Sequence, residues 1–153
     1  MNNLHIPRVG LVAGEKSGDA LGAGLIEQLK LQLPNAQFSG LGGPAMQAVG
    51  FHSMANMERL SVMGLIEPLK RLPDLLALRR ELFQHFLQWG ADIVVGIDSP
   101  DFNLGLERKL KKHGVLCCHY VCPSVWAWRQ GRVKKIRRSV DYMLALLPFE
   151  RAF

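Results

Sequence analysis

The residue best placed for acid–base chemistry in this chain is an aspartate that directly follows an apolar run. Asp98 is the first polar residue after the stretch 93–97. A carboxylate at the tip of a buried strand is held rigidly at the edge of a sheet, where it can act as a general base. The alternative is turn formation or helix capping, which Pro100 favours. Asp101 is the better candidate for capping the next helix, because Phe102 and the residues after it begin an apolar face.

A glycine-rich turn, residues 14–19, follows the first apolar run at 8–13. It has neither the spacing of a Walker phosphate loop nor the Gly-x-Gly-x-x-Gly pattern of a dinucleotide site, which argues against both familiar modes of nucleotide binding. Glycines still allow a ligand to approach the backbone closely, and the first amides of the next helix can meet an anion or a hydroxyl. An ordinary turn, with Ser17 as the helix cap and Asp19 in the first helical turn, fits the sequence equally well.

Aromatic side chains are concentrated in the segment 122–129. Trp126, Trp128 and Arg129 could stack on a sugar ring or hold an acyl chain. The indoles could also simply fill the space between this loop and neighbouring helices, and the segment alone does not decide between the two.

The three cysteines, Cys117, Cys118 and Cys122, lie within six residues. An odd number at this spacing does not indicate a disulfide framework. His119 lies beside them, but no second ligand pair completes a zinc site. We therefore expect two cysteines on a buried strand, the third at the start of a loop, and no bound metal.

Basic residues give the chain a net charge of +6 and are clustered. One cluster occupies residues 129–138, and another, which includes Lys70 and Arg71, is interleaved with leucines. Such clusters favour nucleic acid, phosphorylated ligands or acidic lipid headgroups; no recognised nucleic-acid-binding module accompanies them, so we do not expect nucleic acid. The segment 63–72 could lie at an anionic membrane surface or form the buried side of a helix.

The sequence predicts alternating strands and helices, which would position the segments described above. Apolar runs predict strands at 8–13, 36–39, 51–54, 91–97, 116–121 and 141–147. Intervening sequences predict helices at 17–33, 44–49, 61–89, 101–113 and 130–138. Within 61–89 we expect Pro68 and Pro73 to interrupt the helix, so that its regular part begins at Asp74.

This alternation implies βαβ units and an α/β fold with a doubly wound, Rossmann-like parallel sheet. Ligands of such sheets bind at the carboxyl ends of the strands. The segments 14–19, 98–103 and 122–129 each follow a strand, so they are expected at one rim. The length of 153 residues suits one domain. No stretch approaches the roughly 20 apolar residues of a membrane span, and residues 1–7 lack a signal-peptide core, so a cytoplasmic location is expected.

Five of these stretches, in this order, make the chain similar to the lipid-A-disaccharide synthase family. They are GExSGD (14–19), GLGGPxM (40–46), MERLSVMG (57–64), GIDxPDFNL (96–104) and YVxPSVWAWR (120–129), where x marks a position outside the motif. Five separate motifs spread over the whole chain are far more specific than a single glycine loop.

The resemblance implies a two-domain GT-B glycosyltransferase of which residues 1–153 are the N-terminal, acceptor-side domain. The family joins UDP-2,3-diacylglucosamine to 2,3-diacylglucosamine 1-phosphate (lipid X), with inversion, to give the lipid A disaccharide 1-phosphate and UDP. It implies no metal or other cofactor. We expect residues 1–153 to lack the C-terminal domain that binds the UDP-sugar in this family, and therefore expect these residues alone to be inactive.

The resemblance also assigns roles to individual residues. Asp98 would be the general base. The substrate contacts would be Glu15, Ser17, Gly18, Asp19, Asn103, Ser124, Trp126 and Arg129. The contacts to the inner-membrane surface would be Met63, Leu65, Ile66, Leu69, Lys70 and Arg71. The protein would be peripherally associated with that membrane and could form a homodimer. The main alternative is a non-catalytic lipid-binding domain of the membrane surface, which would share the basic and apolar segment but would not need Asp98.

Overall fold

The computed structural model describes residues 4–61, 68–121 and 132–145. The strands are β1 (Arg8–Ala13), β2 (Gln37–Leu41), β3 (His52–Ser53), β4 (Ile93–Ile97), β5 (Leu116–Tyr120) and β6 (Tyr142–Leu144). The helices are α1 (Lys16–Gln32), α2 (Pro44–Ala48), α3 (Glu58–Ser61), α4 (Pro68–Trp89), α5 (Pro100–Lys112) and α6 (Arg132–Ser139). Among these residues no helix is both long and apolar enough to cross a membrane.

All six strands are parallel and lie in the order β3-β2-β1-β4-β5-β6. This is the doubly wound order in which the chain first moves outward from β1 and then returns to build the other half. The predicted Rossmann-like sheet is therefore confirmed. Its central strands are apolar on both sides, because a parallel sheet is covered on both faces. On β1, for example, Leu11 and Val12 point to opposite faces and are both fully buried.

Helices cover the sheet in two layers. On one face, α4, α5 and α6 enclose a core that includes Val12, Val94, Phe86 and Leu110. On the other face, α1 and α2 enclose a second core around Leu11 of β1 and Val95 and Ile97 of β4. Each layer of helices thus removes one set of alternating strand residues from water. This burial stabilises the fold by roughly 25 cal/mol for each Å² of apolar surface.

Both helices that begin at the candidate site start earlier than the sequence predicts. The N-cap residue of α1 is Glu15, so Ser17 lies inside the first turn and does not cap the helix. The N-cap residue of α5 is Ser99, so Asp101 also lies inside the first turn. Pro100 occupies the start of α5, where its missing amide hydrogen removes no helical hydrogen bond. The chain therefore turns into each helix almost directly from the preceding strand.

The predicted interruption of the long helix at Pro73 is wrong, whereas the residues on the N-terminal side of Pro68, 62–67, lie outside the described residues. Helix α4 runs from Pro68 to Trp89 with Pro73 inside it. Pro68 is the first helical residue, where an amide has no partner in any case. Pro73 lies on the exposed side, and an internal proline costs about 3 kcal/mol. Burial of the later side chains Leu75, Leu78, Leu82 and Phe86 outweighs that loss, since each contributes about 1.5–3 kcal/mol.

Asp19, on the first turn of α1, fastens the glycine-rich segment that follows β2. Its side chain is buried, and its carboxylate accepts hydrogen bonds of 3.0 Å from the backbone N–H groups of Gly43, Ala45 and Met46. The sequence predicts its position in the first helical turn, but the carboxylate serves the start of α2 instead of its own helix. One side chain therefore holds two rim segments together.

Two of the three cysteines lie on a buried strand, as predicted. Cys117 and Cys118 are buried on β5 and are free thiols; Cys122 lies outside the described residues. Burial, with a contribution from the neighbouring Glu107, raises the pKa of Cys117 to about 12 and that of Cys118 to about 11. Since the thiolate is the reactive form, both side chains are expected to be inert in the folded chain.

Asp19→Asn should destabilise the chain by about 2–3 kcal/mol, because hydrogen bonds to a charged group are strong and an amide nitrogen cannot accept from a backbone N–H. Urea unfolding followed by circular dichroism measures the change. Glu27→Gln, on the exposed side of the same helix, is the matched control and should stay within about 0.5 kcal/mol of the parent. Equal stability of Asp19→Asn and the parent would contradict the anchoring role.

The burial of Cys117 and Cys118 predicts slow alkylation. In a Cys122→Ser background at pH 8, on the order of 0.1% or less of either thiol is ionised. The native chain should therefore react with iodoacetamide at least about 100-fold more slowly than the chain in guanidinium chloride. Mass spectrometry counts the modified thiols, with complete labelling of the denatured chain as the control. Native labelling at the rate of free cysteine would show that this strand is open to solvent.

Candidate functional site

The three central strands end side by side at one rim of the sheet. Ala13 of β1 pairs with Ile97 of β4, and Ile97 pairs with Tyr120 of β5. The glycine turn after β1 and the Asp98 turn after β4 therefore meet, as the sequence predicts. The third predicted segment, with Ser124, Trp126 and Arg129, lies outside the described residues.

Asp98 lies in an unusual backbone conformation at the tip of β4. Asp98 and Ser99 have φ angles of 52° and 43°, in the left-handed region that non-glycine residues rarely adopt. Each such residue costs of order 1–3 kcal/mol and persists only where neighbouring groups hold it. The Asp98 N–H donates to the carbonyl of Tyr120 at 2.9 Å, which ties the turn to β5. The side chain of Asp98 is half-buried at the rim.

Asn103, predicted as a substrate contact, lies beneath this turn and has no exposed surface. Its side-chain amide donates to the carbonyl of Asp98 at 2.9 Å and lies 3.4 Å from the carbonyls of Ile97 and Val12. One amide group thus joins the end of β1, the end of β4 and the left-handed turn. In this conformation any influence of Asn103 on a substrate would pass through that turn.

The glycine turn after β1 packs directly against the Asp98 turn. A Cβ at Gly14 would lie 3.0 Å from Ser99 Oγ and 2.7 Å from the side chain of Leu60, so any larger residue would push the turns apart. Of the other predicted contacts here, Glu15 and Ser17 are exposed at the rim, whereas Gly18 and Asp19 are buried. The structure brings the four residues together but turns only two of them toward solvent.

Two neighbouring pockets open along this rim. The smaller, of about 260 Å³, is lined by Glu15, Ser99 and residues at the start of α5. The larger, of about 610 Å³, extends past the ends of β2 and β3 and is lined by Lys16, Gln47, Ser53, Asn56 and other residues. Ser61 lines both pockets. We call the two pockets together the rim cleft.

Sequence reasoning missed the polar residues of the larger pocket. Gln47, Ser53 and Asn56 follow β2 and β3, and the rule that ligands bind at the carboxyl ends of strands would have singled them out. The sequence signal for this pocket was the glycine-rich stretch 40–46, which was interpreted only as a family motif.

A buried pair of a carboxyl and an imidazole group lies beneath the Asp98 turn and was also missed. Glu107 Oε1 of α5 lies 3.0 Å from His119 Nδ1 of β5, and both side chains are almost completely inaccessible. Burial raises the pKa of the Glu107 carboxyl, and the hydrogen bond from His119 opposes that shift. The sequence signal was the spacing of Asn103 and Glu107, four residues apart on the apolar side of a helix.

The remaining predicted residues are placed as follows. Met63, Leu65 and Ile66 lie outside the described residues. Leu69 belongs to α4, and Lys70 is exposed on the same helix, with Arg71 partly exposed. In the part of the chain that the structure describes, no group of three histidine, cysteine, aspartate or glutamate side chains is arranged to hold a metal ion.

Comparison with known proteins gives one consistent family. A family model described as lipid-A-disaccharide synthetase matches residues 9–153. A lipid-A-disaccharide synthase of Chromohalobacter salexigens is 60% identical over 146 residues, covering 95% of this chain and 38% of that protein. The Haemophilus influenzae synthase is 56% identical over 153 residues, covering 100% and 39%, and the Yersinia pestis synthase is 58% identical over 145, covering 95% and 37%.

The chain thus spans less than two fifths of the length of the curated relatives that it matches. The match nevertheless runs through both glycine-rich segments, the Asp98 turn and the following helices without a break in the family model. On this evidence the chain belongs to the lipid-A-disaccharide synthetase family.

Proposed function

We propose that this chain is the acceptor-side domain of an inverting glycosyltransferase of lipid A biosynthesis. The reaction would join UDP-2,3-diacylglucosamine to 2,3-diacylglucosamine 1-phosphate, releasing UDP and the disaccharide 1-phosphate. Family membership supports the reaction class. The observation that carries the proposal is the position of Asp98: a half-buried carboxylate in a strained turn, at the rim where the ligands of this fold bind.

Asp98 would act as the general base. Its carboxylate takes the proton of an acceptor hydroxyl as the oxygen of that hydroxyl attacks the anomeric carbon of the donor. The bond between that carbon and the UDP oxygen breaks, and its electron pair leaves with UDP. Attack from the side opposite the leaving group inverts the anomeric centre. One base and one stabilised leaving group are sufficient for this chemistry.

The rim cleft would hold the acceptor sugar next to the Asp98 turn; Asp98 itself lines neither pocket, but its neighbour Ser99 lines the smaller one. Glu15 of the smaller pocket and the exposed Ser17 can bond sugar hydroxyls, while Lys16 lines the larger pocket and can attract the acceptor phosphate. Gly18 and Asp19 would contribute by shaping the turn. Ser124, Trp126 and Arg129 would complete the acceptor side, as the family motif implies.

Part of the transferase would come from a second domain. The relatives are more than twice as long as the matched segment, and we propose that the remaining part binds the UDP-sugar. The 153-residue chain alone would then bind acceptor without catalysing transfer.

The same chain would lie against an anionic membrane surface, peripherally and on the cytoplasmic side of the inner membrane. Leu72 and Leu76 are one helical turn apart on α4 and are 49% and 47% exposed. Lys70 is exposed on the same segment, and Arg71 is partly exposed. Exposed leucines next to basic residues are typical of interfacial helices, in which apolar burial and attraction to acidic lipids act together.

The same exposed segment also suits the second candidate, a non-catalytic lipid-binding domain. Membrane binding does not separate the two candidates, because both require it. Replacing the carboxylate of Asp98 separates the two candidates, since only the transferase needs a base.

Asp98→Asn should abolish transfer. The test protein is a chimera in which residues 1–153 replace the matching 39% of the Haemophilus influenzae relative. We expect kcat to fall by at least about 100-fold, because general-base catalysis contributes roughly 10²–10⁴-fold, while acceptor binding changes little. Disaccharide formation from radiolabelled acceptor measures the rate.

Glu27→Gln, which removes an exposed carboxylate of α1 that lines neither pocket, is the matched control and should keep most of the activity. Activity of Asp98→Asn within a few-fold of the parent chimera would remove Asp98 as the base. If the parent chimera makes no disaccharide while it still binds vesicles, the lipid-binding candidate is favoured.

Leu72→Ser combined with Leu76→Ser should weaken binding of the 153-residue chain to vesicles that contain phosphatidylglycerol. Partial burial of two leucines contributes about 1–3 kcal/mol, so the bound fraction in flotation should correspond to a roughly tenfold weaker partition. Leu31→Ser is the control, because Leu31 is 73% exposed on α1, a helix on the other face of the sheet. Equal binding of both variants would place the membrane contact elsewhere.

A further inference from the structure

A buried polar cluster lies beneath the Asp98 turn and has no role in the proton transfer described above. Its members are Asn103 and Glu107 of α5 and His119 of β5, and none of them has measurable exposure. Buried charged groups are rare in the interior of a protein unless they are paired. Apolar residues of similar size would often stabilise such a position more.

The cluster is built around a strand position without a side chain. Gly96 of β4 faces α5, and a Cβ there would overlap Glu107 Oε1 and lie 3.0 Å from Asn103 Cβ and Cγ. The Glu107 carboxylate can therefore pack directly against the backbone of Gly96. Across the sheet, Gly96 is aligned with His119, which bonds the same carboxylate. The missing side chain therefore makes room for a carboxylate directly on the strand.

The cluster reaches Asp98 by two short routes. Along β4, Gly96 is two residues before Asp98, so the Glu107 carboxylate fixes the strand just before the turn. Along α5, Asn103 is one helical turn before Glu107, and its amide donates to the Asp98 carbonyl at 2.9 Å. Both routes end at Asp98, the residue whose orientation matters for the proposed chemistry.

Each member of the cluster also keeps one polar atom without a hydrogen-bond partner among the described residues. These atoms are Asn103 Oδ1, Glu107 Oε2 and His119 Nε2. A buried polar atom left unpaired costs about 1–3 kcal/mol. Three such groups side by side are unusual for a cluster that serves packing alone, and a functional role is one explanation of them.

We propose that Glu107 and His119 are positioning residues that act through Gly96 and Asn103 to orient the carboxylate of Asp98. His119 holds the Glu107 carboxylate, which holds the strand at Gly96 and sets the position of α5. Asn103, carried on that helix, then holds the turn. This inference rests on the proposed function, because it takes Asp98 as the base.

The test measures kcat and the acceptor KM separately in the chimera described above. His119→Leu and Glu107→Gln should each lower kcat by about tenfold or more and leave the acceptor KM within about twofold, because the acceptor pocket is intact and the base is misplaced. His119→Asn, which retains a polar nitrogen near the position of Nδ1, should recover most of kcat.

Leu110→Ala is the matched control for lost stability. Leu110 is fully buried on the same helix, three residues beyond Glu107 and away from the rim, and its truncation should cost about 2–5 kcal/mol. Per folded molecule its kcat should equal that of the parent. Wild-type kcat in folded His119→Leu or Glu107→Gln, or the same small effect as in Leu110→Ala, would overturn the inference.

A second measurement requires neither enzymatic activity nor correct folding of His119→Leu. In the 153-residue chain, Glu107→Gln should shift the backbone amide resonances of Asp98 and Ser99 more than that of Leu116 at the far end of β5. Unchanged resonances at Asp98 and Ser99 would also overturn it. If Asp98→Asn is inactive while the Glu107 and His119 variants behave as wild type, the positioning role fails and the proposed function stands.

Discussion

The hydrogen bonds donated by the buried amide of Asn103 are the constraint on which the site depends. Asp98 and Ser99 are both left-handed; aspartate enters that region more readily than most residues, but two such residues in succession need support from outside the turn. The bond from Asn103 to the Asp98 carbonyl, with the longer contacts to Val12 and Ile97, fixes the turn from below. The bond from the Asp98 amide to β5 fixes it from the side. These two restraints fix the backbone from which the carboxylate projects.

A second buried side chain holds a backbone segment in the same way at the other end of the rim cleft. The Asp19 carboxylate gathers three backbone amides of the segment after β2. Asp19 and Asn103 both lie in the first turns of helices that follow strands, and both face inward to the backbone of a neighbouring loop. The rim is thus shaped by polar groups in the interior, while the residues proposed to touch substrate are carried on its surface. The free energy gained from apolar packing on both faces of the sheet offsets the conformational cost of these strained turns.

The sheet and its rim could be predicted from sequence because the strands are short apolar runs separated by helical segments. That pattern, with the rule that ligands bind at the carboxyl ends, placed Asp98 beside the Gly14 turn. The starts of α1 and α5 could not be placed to the residue, since Ser17 and Asp101 are good caps in isolation and only the tight turns show that they are not used. Pro73 was misjudged because its effect depends on how much of α4 is buried beyond it.

The role of the buried polar groups was beyond sequence reasoning for a different reason. Asn103, Glu107 and His119 are ordinary surface residues by type, and only the packing of α5 on β4 and β5 shows that they are enclosed together. The central claim, that this packing aims Asp98 at an acceptor hydroxyl, is tested most directly by a crystal structure of a two-domain synthase carrying this segment with acceptor bound. The account predicts a carboxylate oxygen of Asp98 within about 3.2 Å of a sugar hydroxyl, with the Asn103 bond to the Asp98 carbonyl intact. An acceptor bound in the rim cleft with all its hydroxyls beyond reach of that carboxylate would contradict it.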